Sequence, residues 1–176
     1  KSGHFKILNA VCRVYLTVIR GTPTMIQLLI MNFVIFGSVS LDKVIVGSLA
    51  FGINSGAYVA EIVRSGIMSI DPGQTEAGRS LGLNFTQTMK LIIMPQAFKN
   101  VLPALVNEFI VLLKETSIIG YIGMMDLTKG AMLIQSRTYN AFLPLIAAAL
   151  IYLALVMFLT FLMNKIERRL RTNERK

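Results

Sequence analysis

Four polar side chains sit inside otherwise apolar stretches: Asn54, Glu108, Lys114 and Glu115. Their types allow recognition of a small charged molecule. Glu108 can accept from an ammonium group or a cationic side chain, and Lys114 or Asn54 can donate to a carboxylate. A glutamate at the bilayer centre costs roughly 2.5–3.5 kcal/mol on the insertion scale, so Glu108 should face protein or water and find a cationic partner. A second reading is equally open at this point, in which Glu108 and Lys114 form a structural ion pair closing the outer end of their helix.

The elements that carry these residues are read from periodicity. Residues 4–20 place Phe5, Leu8, Val11, Cys12 and Tyr15 at helical spacing with Lys6 and Arg13 elsewhere on the wheel, which reads as a helix along the cytoplasmic interface. Arg20-Gly21-Thr22-Pro23 is a break followed by a helix start, with Thr22 as cap and Pro23 in the first turn. A span over about 22–41 follows, then one over 43–70. On the second, Gly52, Gly56 and Ala60 stack on one side, a stripe suited to ordinary helix packing. Asn54, Tyr58, Glu61 and Ser65 stack on the opposite side and should face a cavity or another polar surface. Residues 96–117 form a third span, kinked at Pro103. There Asn100, Asn107 and Lys114 share one face, while Glu108 and Glu115 share the adjoining one. Met124 to Gln135 reads as a short amphipathic helix, and 142–163 as a last span ending in a basic tail.

Between the second and third spans lies a polar loop, residues 71–95. Asp71 caps a first short helix, with Pro72 in its first turn and Glu76 near the positive end of its dipole. Gly82 stops that helix, since glycine reaches the left-handed conformation cheaply. Asn84 and Gln87 form a second capping signal, and Pro95 bounds the helix they start. The expected result is a compact knob, with Ala77 and Gly78 small enough for a partner to approach closely.

Composition agrees with a bilayer protein. Of 176 residues, 54% are apolar and only 15% charged, and the mean hydropathy is +0.63, too oily for a soluble domain of this length. The net charge of +9 does not indicate nucleic acid, because the cations gather at the ends. Lys1, Lys6, Arg13 and Arg20 lie at one end, and Lys165, Arg168, Arg169, Arg171, Arg175 and Lys176 at the other, where they read as cytoplasmic anchors and contacts to anionic membrane lipids. The same rule puts the N-terminal segment, the knob and the tail inside, and residues 118–140 outside. Cys12 is the sole cysteine, which excludes an internal disulfide and suits a buried apolar role. His4 is also alone, so no metal site is expected. The sequence does not begin with Met, and a missing N-terminal piece is expected.

The knob resembles the signature loop of ABC importer permeases, whose pattern is Glu-Ala-Ala, three residues, Gly, nine residues, Ile, one residue, Leu, Pro. Glu76, Ala77, Gly82, Ile92 and Pro95 fall in register, with Gly78 for the second alanine and Met94 for the leucine. Arg20-Gly21-Thr22-Pro23, the run from Ser55 to Ile67 and Lys114-Glu115-Thr116-Ser117 resemble the polar amino-acid branch of these permeases, which takes His, Glu, Gln, Arg and opines. The resemblance covers nearly the whole chain. Permeases of that branch usually have five transmembrane helices, and four are visible here, which implies that the first is absent from this sequence.

The resemblance implies an all-α integral membrane protein, a single type I importer transmembrane domain with a cytosolic coupling helix, multi-pass in the bacterial inner membrane. It further implies that the chain is a transport subunit and not an enzyme. A cytoplasmic ABC ATPase would dock on Glu76, Ala77, Gly78 and Gly82. A solute-binding protein would deliver a polar amino acid, and a second permease subunit, identical or related, would complete the membrane domain. No cofactor is expected in this chain. It has no Gly-Lys dipeptide and so no Walker A loop, which leaves ATP and its magnesium to the ATPase partner. Substrate would lie midway across the membrane against Asn54, Glu108, Lys114 and Glu115. Two rivals are a permease of this fold for another small solute, and a membrane anchor or regulatory protein without transport.

Overall fold

A computed structural model describes residues 3–172, with side chains over residues 5–165. Lys1, Arg175 and Lys176 lie outside the described residues, and the side chains of His4, Arg168, Arg169 and Arg171 outside the described side chains. The described residues are helical with short connections. Helix α1 (Gly3–Gly21) leads into α2 (Thr24–Ile30), which widens into a π-helical turn over Met31–Ile35. Then come α3 (Lys43–Met68), α4 (Pro72–Ser80), α5 (Phe85–Thr88), a second π-helical turn (Met89–Ile93), α6 (Met94–Glu115), a 3-10 segment (Thr116–Ile122), α7 (Leu127–Thr138) and α8 (Phe142–Thr172).

Helices α3 and α8 are each long and apolar enough to cross a bilayer. The expected span over 22–41 is not one straight helix. Its helical part stops at Ile35 and would reach about 18 Å at 1.5 Å per residue, short of a hydrocarbon core of about 30 Å. It meets the requirements of a span only together with α1, across a bend of 107°. Pro23 causes this bend. It sits at the head of α2 with ψ at 135°, in extended backbone, and makes no side-chain cap. Thr22 is not the cap expected from the sequence, because its hydroxyl donates backward to the Val18 carbonyl at 2.8 Å. Helix α6 has the length to cross, but it carries Lys99, Glu108, Lys114 and Glu115.

The knob follows its local signals closely. Asp71 accepts from the Gly73 amide at 2.7 Å with Pro72 in the first turn. Gly82 has φ of +81°. The Leu83 amide donates to the Gly78 carbonyl at 3.1 Å and the Gly82 amide to the Arg79 carbonyl at 2.9 Å, which is the Schellman arrangement. Asn84 and Gln87 exchange both capping-box bonds, at 2.9 and 3.0 Å. Pro95 does not end the second helix. A proline ring clashes with the carbonyl four residues back, and the widened turn at Met89–Ile93 lets the helix run on into α6. Knob and span are therefore continuous.

The apolar core lies toward the far end of α3 from the knob, where Leu28, Ala50, Phe51 and Ile122 are buried together. Nearer the knob, α3 crosses α6. The close approach is made at Gly66, where a Cβ would collide with Val101 and meet the Ala97 carbonyl oxygen at 3.4 Å. Gly47 plays the same part against Ile119. The stripe read from the wheel is different: Gly52 has open space around it, Gly56 faces only the Tyr15 hydroxyl, and Ala60 is exposed. Periodicity gives the faces of a helix but not which face a neighbour occupies. Cys12 is exposed rather than buried, because most of α1 stands away from the other described helices. Gly66→Leu should destabilise the fold by about 1–3 kcal/mol through overpacking, lowering the melting temperature in detergent. Gly52→Ala should leave it unchanged or slightly raised.

Candidate functional site

The polar residues of α2, α3 and α6 converge on one seam. Glu108, half-buried, accepts from the Ser55 hydroxyl at 3.1 Å. Glu115, also half-buried and two turns further along α6, accepts from the Thr24 hydroxyl at 3.3 Å. Seven residues apart, the two carboxylates lie on one face of α6. Among the described residues neither forms an ion pair. The alternative Glu108–Lys114 pair is thus not made. Lys114 is exposed on another face of the helix, where its position one residue before Glu115 must put it.

Asn54 is buried to 1% exposure. Its Nδ2 donates to Gln27 Oε1 at 2.9 Å. Gln27 in turn donates to the Ile19 carbonyl at 2.7 Å and to the Thr22 carbonyl at 3.1 Å. These carbonyls belong to the end of α1, where the helix leaves acceptors unpaired. The Asn54–Gln27 pair therefore fastens the bend to α3. Asn54 Oδ1 is buried with no hydrogen-bond partner among the described residues. With one of its two N–H donors engaged, this side chain offers an unpartnered acceptor alongside the carboxylate donor expected from sequence. Gln27, Thr24 and Ser55 were not singled out from the sequence. The available signal was Thr24 and Gln27 three apart, the polar positions of an otherwise apolar α2.

A charged cluster lies further along α3 toward the knob. Arg20 of α1 pairs with Glu61 at 3.3 Å, and Arg64 pairs with the same carboxylate, its Nε at 3.0 Å. The Arg20 guanidinium also lies 5.8 Å from the centre of the Tyr58 ring. Of the expected polar stripe, Asn54 is buried, Tyr58 and Glu61 are half-buried and Ser65 is exposed.

The four knob residues divide. Glu76, Ala77 and Gly82 are exposed, and Gly78 is buried. A Cβ on Gly78 would lie 2.6 Å from Thr88 Cγ2 and 3.1 Å from Ile92 Cδ1. Gly78 thus lets α4 rest on the helix after it, inside the knob. Thr88 beneath it is 1% exposed. Leu81 and Phe85 project from the knob, 78% and 66% exposed. Such large apolar side chains beside exposed Glu76 give this surface the make-up of a docking face.

Comparison with known proteins places these features in a family. The model of the binding-protein-dependent transport system inner membrane component matches residues 2–172. The arginine transport system permease protein ArtQ of Bacillus subtilis is 44% identical over 162 residues, covering 91% of this chain and 74% of that protein. The glutamine transport system permease protein GlnP of Escherichia coli K12 is 36% identical over 168 residues, covering 94% and 77%. Among solved structures, an amino acid ABC transporter matches with a TM-score of 0.86 and 47% identity over 93% of this chain and 77% of that one. The MetNI methionine ABC transporter shares the fold, with a TM-score of 0.73 at 19% identity.

Proposed function

This chain belongs to the family of binding-protein-dependent transport system inner membrane components, and on that premise we propose that it is the permease subunit of an ATP-driven importer of a polar amino acid with a cationic group to recognise. The observation that carries the reading is the pair of half-buried carboxylates, Glu108 and Glu115, held by hydroxyls and, among the described residues, in no ion pair with a cation of the chain. An ionised carboxylate in a spanning segment needs a partner, and an ammonium or guanidinium group of the cargo supplies one. Arginine and glutamine, the cargoes named for the relatives, both bring an α-ammonium, and arginine adds a second cation.

In this reading α6 crosses the membrane as a third or fourth span, with its carboxylates turned to the path. A solute-binding protein delivers the amino acid from outside and a second permease subunit closes the other side. A cytoplasmic ATPase receives the knob through Glu76, Ala77, Leu81 and Gly82. ATP and magnesium belong to that ATPase. Its closure moves the knob, and the helices follow as bodies, in keeping with rigid alternating access.

Reconstitution tests this. With a cognate ABC ATPase and solute-binding protein, the chain should support ATP-dependent uptake of arginine or glutamine into proteoliposomes. Uptake of neither, nor of histidine or glutamate, would overturn the reading. For the coupling surface, Glu76→Ala combined with Gly82→Leu should sharply reduce recovery of the ATPase on the tagged permease, and unchanged recovery would remove the knob from that role.

A further inference from the structure

Below the seam, toward the knob, α3 and α6 flank an open groove of about 330 Å³, where Glu61, Ser65, Ser69 and Asn100 line it together with Ile62, Gly66 and Ala104. It continues the line of the two carboxylates. On α6, Ala104 lies one turn before Glu108, with Asn100 a further turn on and on the adjoining face, and Ser69, which caps α3, lies fourteen residues beyond Ser55. Asn100 is thus about 12 Å from Glu108 along the axis. The volume falls within the range of small-molecule clefts, roughly 300–1,000 Å³. At its knob end the Asn100 amide donates to the Ser69 hydroxyl at 2.9 Å, which donates to the Gly66 carbonyl at 2.8 Å.

Resting on the permease reading above, we infer that this groove is a second amino-acid station on the cytoplasmic leg of the path, in which Glu61 takes the α-ammonium of the departing substrate and Arg64 its carboxylate. The chemistry is an exchange of ion pairs. At rest Glu61 holds Arg20 and Arg64. A zwitterion entering the groove offers one cation and one anion, so charge stays balanced while a guanidinium is displaced. Arg20 is the one to leave, because it already lies 5.8 Å from the Tyr58 ring centre, within cation–π range, and keeps that contact when the carboxylate turns away. The Arg20–Glu61 pair joins α1 to α3, so occupancy of the groove would also loosen that joint.

A cysteine reporter tests the station in the intact complex with its ATPase, in nanodiscs. In a Cys12→Ser background, Ser65→Cys is modified by a cationic, membrane-impermeant thiol reagent with and without arginine or glutamine. At ligand near ten times its Kd the modification rate should fall about tenfold, since only the free fraction reacts. The protection should persist with Glu108→Gln and vanish with Glu61→Gln. Arg20→Gln, which leaves Glu61 paired with Arg64 alone, should bring protection at lower ligand concentration. Protection that is absent, that disappears with Glu108→Gln, or that is indifferent to both Glu61→Gln and Arg20→Gln would overturn the station. Uptake measured on the Cys12→Ser protein separates the two levels. Uptake without protection sinks only the station, and no uptake sinks the permease reading with it.

Discussion

Glu108→Gln should reduce uptake of arginine by roughly ten- to a hundredfold, the loss expected when a charge-assisted hydrogen bond worth about 1.5–3 kcal/mol becomes neutral. Uptake of glutamine should fall much less. Glu108 is half-buried and bonded to Ser55 Oγ at 3.1 Å, so the isosteric amide keeps its place and its acceptor oxygen while the charge is lost. The α-ammonium common to both cargoes can still turn to Glu115, on the same face two turns away. A second cation on the side chain cannot find a second carboxylate. Equal losses for the two amino acids in proteoliposomes would take Glu108 out of recognition. Lys114→Gln is the contrast: an exposed lysine in no ion pair with either carboxylate should affect neither cargo strongly.

Gly78→Val should break coupling while leaving the membrane helices folded. The new side chain would have to occupy space already filled by Thr88, whose Cγ2 lies 2.6 Å from the Cβ position. Thr88 is β-branched and stiff at χ1 and is fully buried, so relief requires α4 to lift off the helix beneath it. Overpacking of this kind costs about 1–3 kcal/mol, concentrated in a nine-residue helix with few other contacts to hold it. ATP hydrolysis stimulated by the loaded binding protein should drop to the basal rate, and the α4 amides should exchange hydrogen faster. The melting of the bulk of the protein should move little. Full stimulation with Gly78→Val would show that the internal packing of the knob does not matter to transmission.

What the sequence disclosed follows from the range of the forces involved. Asp71, Gly82 and the Asn84–Gln87 box act within four residues, and each is found as read. Pro95 and Thr22 also act locally, but each had two ways to satisfy its neighbours. Pro95 is accommodated by a widened turn, and Thr22 turns back to Val18. The candidate site was half legible. Glu108 and Glu115 declared themselves as carboxylates in apolar helices, and the heptad spacing put them on one face. Their partners Ser55 and Thr24 are 53 and 91 residues away, and no periodicity names a partner on another helix. Gly78 shows the same limit: its smallness was visible, but whether it yields space to a neighbour inside the chain or outside it depends on tertiary packing.

The crossing of α3 and α6 at Gly66 and Val101 has a mechanical consequence. Under the proposed rigid-body motion it would serve as a pivot for the helical run that continues from Phe85 to Glu115. At 1.5 Å per residue the lower arm, Phe85 to Val101, measures about 24 Å, and the upper arm, Val101 to Glu115, about 21 Å. With arms so nearly equal, a tilt imposed at the base returns at Glu115 with almost the same amplitude and the opposite direction, and at Glu108, about 10.5 Å from the pivot, with under half of it, so this lever reverses motion without amplifying it.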